Sequence, residues 1–159
     1  MKMNTLEQLQ YIFNLLHDGG IENYSGDSEK LQLEIGCIYL AEHINPAYEN
    51  FYIELEKIEK FELHPWWKTG FDQDLILNDF KEIAQLGLDI GSADIQDDFV
   101  IIYCSHWGKD VDFVGGNIHL KCQSVKIFDH QKNEITIQEL DKIAQEYWDN
   151  FGTKSKPTN

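Results

Sequence analysis

Six histidines and 28 carboxylates are the side chains of this chain best suited to moving protons or holding cations. His17, His43, His64, His106, His119 and His130 never stand four residues apart, so no helix carries an HExxH pair. Zinc would need three or four ligands drawn together from distant segments. Cys104, Ser105 and His106 are consecutive. On a strand Cys104 and His106 share one face while Ser105 takes the other. No acidic partner accompanies them, so the trio reads as a core strand reaching a loop rather than a catalytic dyad. His17 and Asp18 precede Gly19 and Gly20, where a histidine suits the negative end of a helix. Asp110 and Asp112 offer oxygen ligands, but in so acidic a chain they read as a solvated loop. There is no glycine-rich phosphate loop and no nucleophile elbow. No metal and no cofactor is expected, and no residue is assigned a catalytic role.

Charge narrows the range of partners. The chain has 159 residues, a formal net charge of −15, and no arginine among its 13 basic residues. Arginine supplies the planar fork that recognises phosphate and carboxylate in two-point fashion. Without it, and with this surplus of acid, nucleic acid and anionic membrane are not expected partners. A basic protein is. Residues 71–112 hold ten acids and two lysines, the densest negative stretch. Asp94, Asp97 and Asp98 cluster within it, with Asp110 and Asp112 further on.

Tryptophans supply the apolar counterpart. Trp66 and Trp67 are adjacent and cannot readily face one core, and Trp107 follows an apolar run. Tryptophan is enriched among the residues that anchor interfaces. The partner-binding candidates are therefore Trp66, Trp67, Asp94, Asp97, Asp98, Trp107, Asp110 and Asp112.

The elements that must position these residues follow from periodicity. Leu6, Leu9, Ile12, Phe13 and Leu16 make a helical stripe that starts at a Thr5–Gln8 capping box and stops at Gly19 and Gly20. A last helix starts at the capping box of Thr136 and Glu139, with Ile135 and Leu140 placed as a staple. Its stripe is Leu140, Ile143, Tyr147 and Phe151, and Gly152 ends it. A shorter middle helix fits 78–86, closed by Gly87. Alternation predicts strands over 30–41 and 118–127, and a further strand is expected over 88–95. Residues 50–63 fit either element, since Tyr48, Phe51, Tyr52, Leu55 and Ile58 also share a helical face; a strand is preferred because Phe61 and Leu63 resume the alternation. Bulges are expected near Lys57 and Ile58 and near Gln123 and Ser124, and Pro65 is expected to end its strand. The continuous apolar run over 98–106 predicts a central strand buried on both faces. The fold class is α+β: an antiparallel, bulged sheet of about five or six strands with N-terminal, middle and C-terminal helices packed on it.

One domain over 1–152 and a flexible polar tail over 153–159 are expected. No apolar run reaches the ~20 residues of a membrane span. The first residues lack the apolar region of a signal peptide. The odd set of Cys37, Cys104 and Cys122 reads as reduced thiols in a cytoplasm.

Leu16-His17-Asp18-Gly19-Gly20-Ile21, the strands Leu31-Gln32-Leu33-Glu34-Ile35 and Phe51-Tyr52-Ile53-Glu54-Leu55, and the closing Tyr147-Trp148 form a further pattern. It resembles small bacterial α+β proteins of unknown function, among them immunity proteins of toxin systems. The resemblance implies a non-enzymatic inhibitor of a basic partner. The other expectation is a small enzyme or ligand-binding domain with a histidine/carboxylate site assembled by folding.

Overall fold

A computed structural model describes residues 2–67, 75–106 and 113–155, with side chains as far as residue 151. In chain order the elements are α1 (Thr5–Leu15), β1 (Gly20–Gly26), β2 (Lys30–Gly36), α2 (Ile38–Ile44), β3 (Asn50–Trp67), α3 (Phe80–Ala84), β4 (Asp89–Gln96), β5 (Phe99–Ser105), β6 (Phe113–Phe128), β7 (Glu134–Ile135) and α4 (Ile137–Ser155). All the strand pairs are antiparallel, so the class is α+β as the alternation predicts.

The sheet order is β3-β2-β1-β4-β5-β6-β7, and β3 also pairs β6. The ladder thus returns on itself as a ring of six strands, with β7 added beside the end of β6. The junction of β1 with β4 is a single pair, Gly20 with Asp89. Beyond that pair α1 takes over the exposed edge of β4. The Asn14 amide donates to the Ala93 carbonyl at 3.0 Å, and the Ala93 N–H donates to Asn14 Oδ1 at 2.8 Å. A side chain does here what a neighbouring strand would otherwise do.

Inward residues of the ring and the apolar stripe of α1 form one core. Leu31, Leu33, Ile35, Phe51, Ile53, Leu55, Val100, Ile102, Ile118 and Leu120 meet Leu9, Ile12, Phe13 and Leu16 there. β5 lies between β4 and β6, and Val100, Ile101 and Ile102 are all buried, as a central strand requires. Ile101 is buried outside the core cluster, on the opposite face.

Several local expectations are corrected. Asn4, not Thr5, caps α1 by accepting from the Glu7 N–H at 2.8 Å, because the Thr5 hydroxyl is spent on the Gln123 carbonyl. The left-handed residue after α1 is Asp18, with φ 67°, rather than a glycine. The alternation over 30–41 breaks at Gly36: Cys37, Leu40 and Ala41 are buried at helical spacing in α2. β1 escapes prediction because only Ile21 of its residues is buried. Asp79 caps the middle helix, which is shorter than expected. Pro65 does not end β3; it pairs with Gly116 and the strand runs on to Trp67.

The break near Lys57 and Ile58 is present, with Lys57 at φ 52° and a register shift before Lys60. β6 stays in register through Gln123 and Ser124, so the inserted residue belongs to β3. Helix α4 opens with the expected capping box: Thr136 Oγ1 accepts from Glu139 N–H at 3.0 Å, and Glu139 Oε2 accepts from Thr136 N–H at 3.2 Å. It passes through Gly152 to Ser155, three residues into the segment expected to be a tail; residues 156–159 lie outside the described residues.

Candidate functional site

Two surfaces collect the side chains with chemical or binding potential. The first is a groove between α2 and α4. Tyr39 and His43 face α4 from one turn of α2 to the next. The Tyr39 ring lies 4.7 Å from that of Tyr147, and its hydroxyl donates to the His17 carbonyl at 2.6 Å. His43 Nε2 meets Glu146 Oε2 at 3.0 Å and divides the groove. On one side is a cavity of about 390 Å³ bordered by Ile44, Ile135 and Ile143. On the other is one of about 420 Å³ bordered by Tyr39, Pro46, Tyr147 and Phe151. Trp148 stacks on His17 with ring centroids 5.4 Å apart at 12°.

This corner leaves apolar surface in water. Phe151 is 52% exposed and Trp148 40%, with their ring centroids 5.6 Å apart. Phe151 was expected to continue the inward stripe of α4, but the core ends before it. Glu42 and Glu146 line the groove, and the charge of Asp18 acts on Tyr39 at its edge. Burial pushes the Tyr39 hydroxyl and the Cys37 thiol upward, the latter to about 11, with the nearby Asp18 charge adding to both shifts.

The second surface is the outward face of β4, β5, β6 and β3. Register sets its rows: Asp94 lies opposite Ile101, Ile101 opposite His119, and His119 opposite Glu62. In the next row Tyr103 is opposite Asn117, and Asn117 is opposite His64. The rings of His64 and His119 stack with centroids 3.8 Å apart, and Phe99 stacks on His119 at 4.8 Å. Glu62 Oε1 stands 3.5 Å from His64 Nε2. Burial, then the neighbouring His64 and Lys60, lower the pKa of His119 against the opposing pull of Glu62.

Among known proteins, no family model, no curated protein and no solved structure matches this chain.

The tryptophan pair divides as adjacent strand residues must. Trp66 points out and is 38% exposed, its indole N–H donating to Asn117 Oδ1 at 2.9 Å, and its ring lies over Gly115. Trp67 packs on the core against Phe113, with centroids 5.6 Å apart. Asp94, Asp97 and Asp98 are exposed near the β4–β5 turn. Asp98 pairs with Lys121 at 2.8 Å, which lowers its pKa, so its charge is locally answered. Trp107, Asp110 and Asp112 lie outside the described residues.

Among the described candidates, Trp67 lies on the core side, while Trp66 and Asp98 lie towards different ends of β6. Asp98 sits at the Lys121 end of β6 and Trp66 at the Asn117 end. Sequence reasoning missed Trp148, although it is the aromatic of α4 that stands off the apolar stripe. It also missed the meeting of Glu62, His64 and His119, which depends on how β3 and β6 pair.

Proposed function

We propose that this chain is an acidic protein-binding module, an inhibitor of the immunity type, that neutralises a basic protein partner through the α2–α4 groove. The observation that carries the reading is the exposed pair Trp148 and Phe151, whose rings meet at 5.6 Å beside that groove. Contiguous exposed apolar surface marks interaction sites. Large aromatic side chains provide anchoring contact area, and acidic groups around them select and steer a cationic partner. A second copy of the chain is disfavoured as the occupant, because both copies would bring a net charge of −15. Asp94 and Asp97, away from the groove, add to the long-range field rather than to the contact.

The test compares two baits in lysate of the source cell: the wild-type chain and a Trp148→Ala/Phe151→Ala variant. Support is a basic protein held by the wild type, lost by the variant, and released by salt. Retention of the same proteins by both baits, or of acidic proteins only, contradicts the reading.

A further inference from the structure

The geometry points to a divalent transition-metal site, of the zinc-binding class, formed by Glu62, His64 and His119 on the outward face of β3 and β6. This inference is independent of the groove and of the partner proposed for it.

Three features of the chain build the site. Glu62 and His64 are two apart on β3, so their side chains leave the same face. His119 is directly opposite Glu62 in the β3–β6 ladder. His64 is then its diagonal neighbour, within reach of a ring. One ligand atom from each residue lies within 4.8 Å of the others. Zinc holds imidazole nitrogen and carboxylate oxygen at roughly 2.0–2.2 Å, which sets tetrahedral ligands roughly 3.4 Å apart. The rings of His64 and His119 are stacked, so both turn about their side-chain bonds out of that contact for their nitrogens to converge on one ion.

The chemistry of the set is selective. Two imidazoles and one carboxylate are the ligands of open zinc sites, in which water takes the fourth position. The site is open to solvent: the His64 side chain is 33% exposed and that of Glu62 34%, and His119 is half-buried. His64 Nε2 itself is shielded and makes no hydrogen bond among the described residues. It stands beside a carboxylate oxygen without a donor–acceptor geometry between them, an arrangement that a cation between the two would satisfy.

Further side chains pack around the site. Phe99 also stacks on His119, with 29° between the planes. Lys60 lies over the same phenyl ring at 4.6 Å. Asn117, in the row of His64, is held by the Trp66 indole. The three cysteines are buried, and the thiol alternatives Cys104 and Cys122 belong to the core rather than to this face.

The experiment uses the full chain, stripped with a chelator and titrated with zinc(II) and with cobalt(II). Calorimetry should show one zinc per chain, and cobalt should give the visible absorption of a tetrahedral site. His64→Ala and His119→Ala should each weaken binding by tenfold or more, whereas His43→Ala should leave it unchanged. Should a variant fail to fold, nitrogen NMR of the wild-type imidazoles decides. Zinc must shift His64 and His119 selectively over His17, His43 and His130. Absence of one-to-one binding, or binding that leaves both rings undisturbed, overturns the inference.

Discussion

Asn14 of α1 and Ala93 of β4 exchange two hydrogen bonds, side chain to main chain, along the edge of β4 that β1 leaves unpaired. Both Ala93 groups would otherwise face the packed side of α1 without a strand to meet them. Asn14→Ala removes both bonds and leaves the Ala93 N–H without its acceptor, while the Ala93 carbonyl keeps the longer 3.4 Å bond from the Gln10 side-chain amide. The expected loss is about 1–3 kcal/mol of stability. Urea unfolding checks it, and a change below a few tenths of a kcal/mol would show that water replaces the amide freely. Asn14→Asp keeps the acceptor for Ala93 N–H but brings a carboxylate to the Ala93 carbonyl, so it should also destabilise the chain.

The thiols give a second expectation. Cys37, Cys104 and Cys122 are free and buried. Burial raises Cys37 to about 11 and both Cys104 and Cys122 to about 12. Thiolate is the reactive form, so alkylation at pH 8 should be slow for all three. Unfolding in denaturant without reductant should expose three reactive groups. Rapid labelling of the folded chain would contradict this burial.

How far the sequence reveals this fold can be seen at single residues. The central strand β5 is legible because Val100, Ile101 and Ile102 are consecutive and buried on two faces. The start of α4 is legible because Thr136 and Glu139 bond to each other within one turn. Helix α2 is not, because Leu33, Ile35, Cys37 and Tyr39 satisfy period two, while Cys37, Leu40 and Ala41 satisfy the helical period. The bend at Gly36, across which the Glu22 carboxylate lies, decides between them. Glu62, His64 and His119 are not legible as a group either. Their meeting rests on the β3–β6 register, and no local pattern encodes a pairing across more than fifty residues. Trp66 and Trp67 are an intermediate case: opposite faces follow from adjacency, but which one faces inward depends on Phe113.

Glu22 gives a pH prediction. Its pKa is raised above the ordinary 4.5, first by burial and then by the charges of Glu34 and Glu49. A carboxyl raised in the folded state favours folding when protonated. That contribution is present below the unfolded value and is lost as pH rises through the folded one. At neutral pH the ionised Glu22 therefore disfavours the fold. Glu22→Gln should raise the melting temperature at pH 7, and the gain should shrink toward zero below about pH 4. Added salt should narrow the difference between variant and wild type, since the Glu34 and Glu49 terms are screened. A variant melting below wild type at pH 7 would mean that the Glu22 carboxylate is stabilising.

The docking proposal separates association from dissociation. Acidic side chains act at a distance, so Glu42→Gln with Asp18→Asn should slow association with a basic partner severalfold at low salt. The effect should fade as ionic strength rises, because the screening length contracts to about 8 Å at 0.15 M. Trp148 acts by contact. Trp148→Ala should leave the association rate within about threefold of wild type and speed dissociation by tenfold or more, as loss of an anchoring aromatic does. Trp66→Ala, on the other surface, is the control and should alter neither rate. Surface plasmon resonance with the captured partner reads all three. If Trp66→Ala speeds dissociation while Trp148→Ala does not, the partner binds the outward face of β3 and β6, and the groove is not the docking surface.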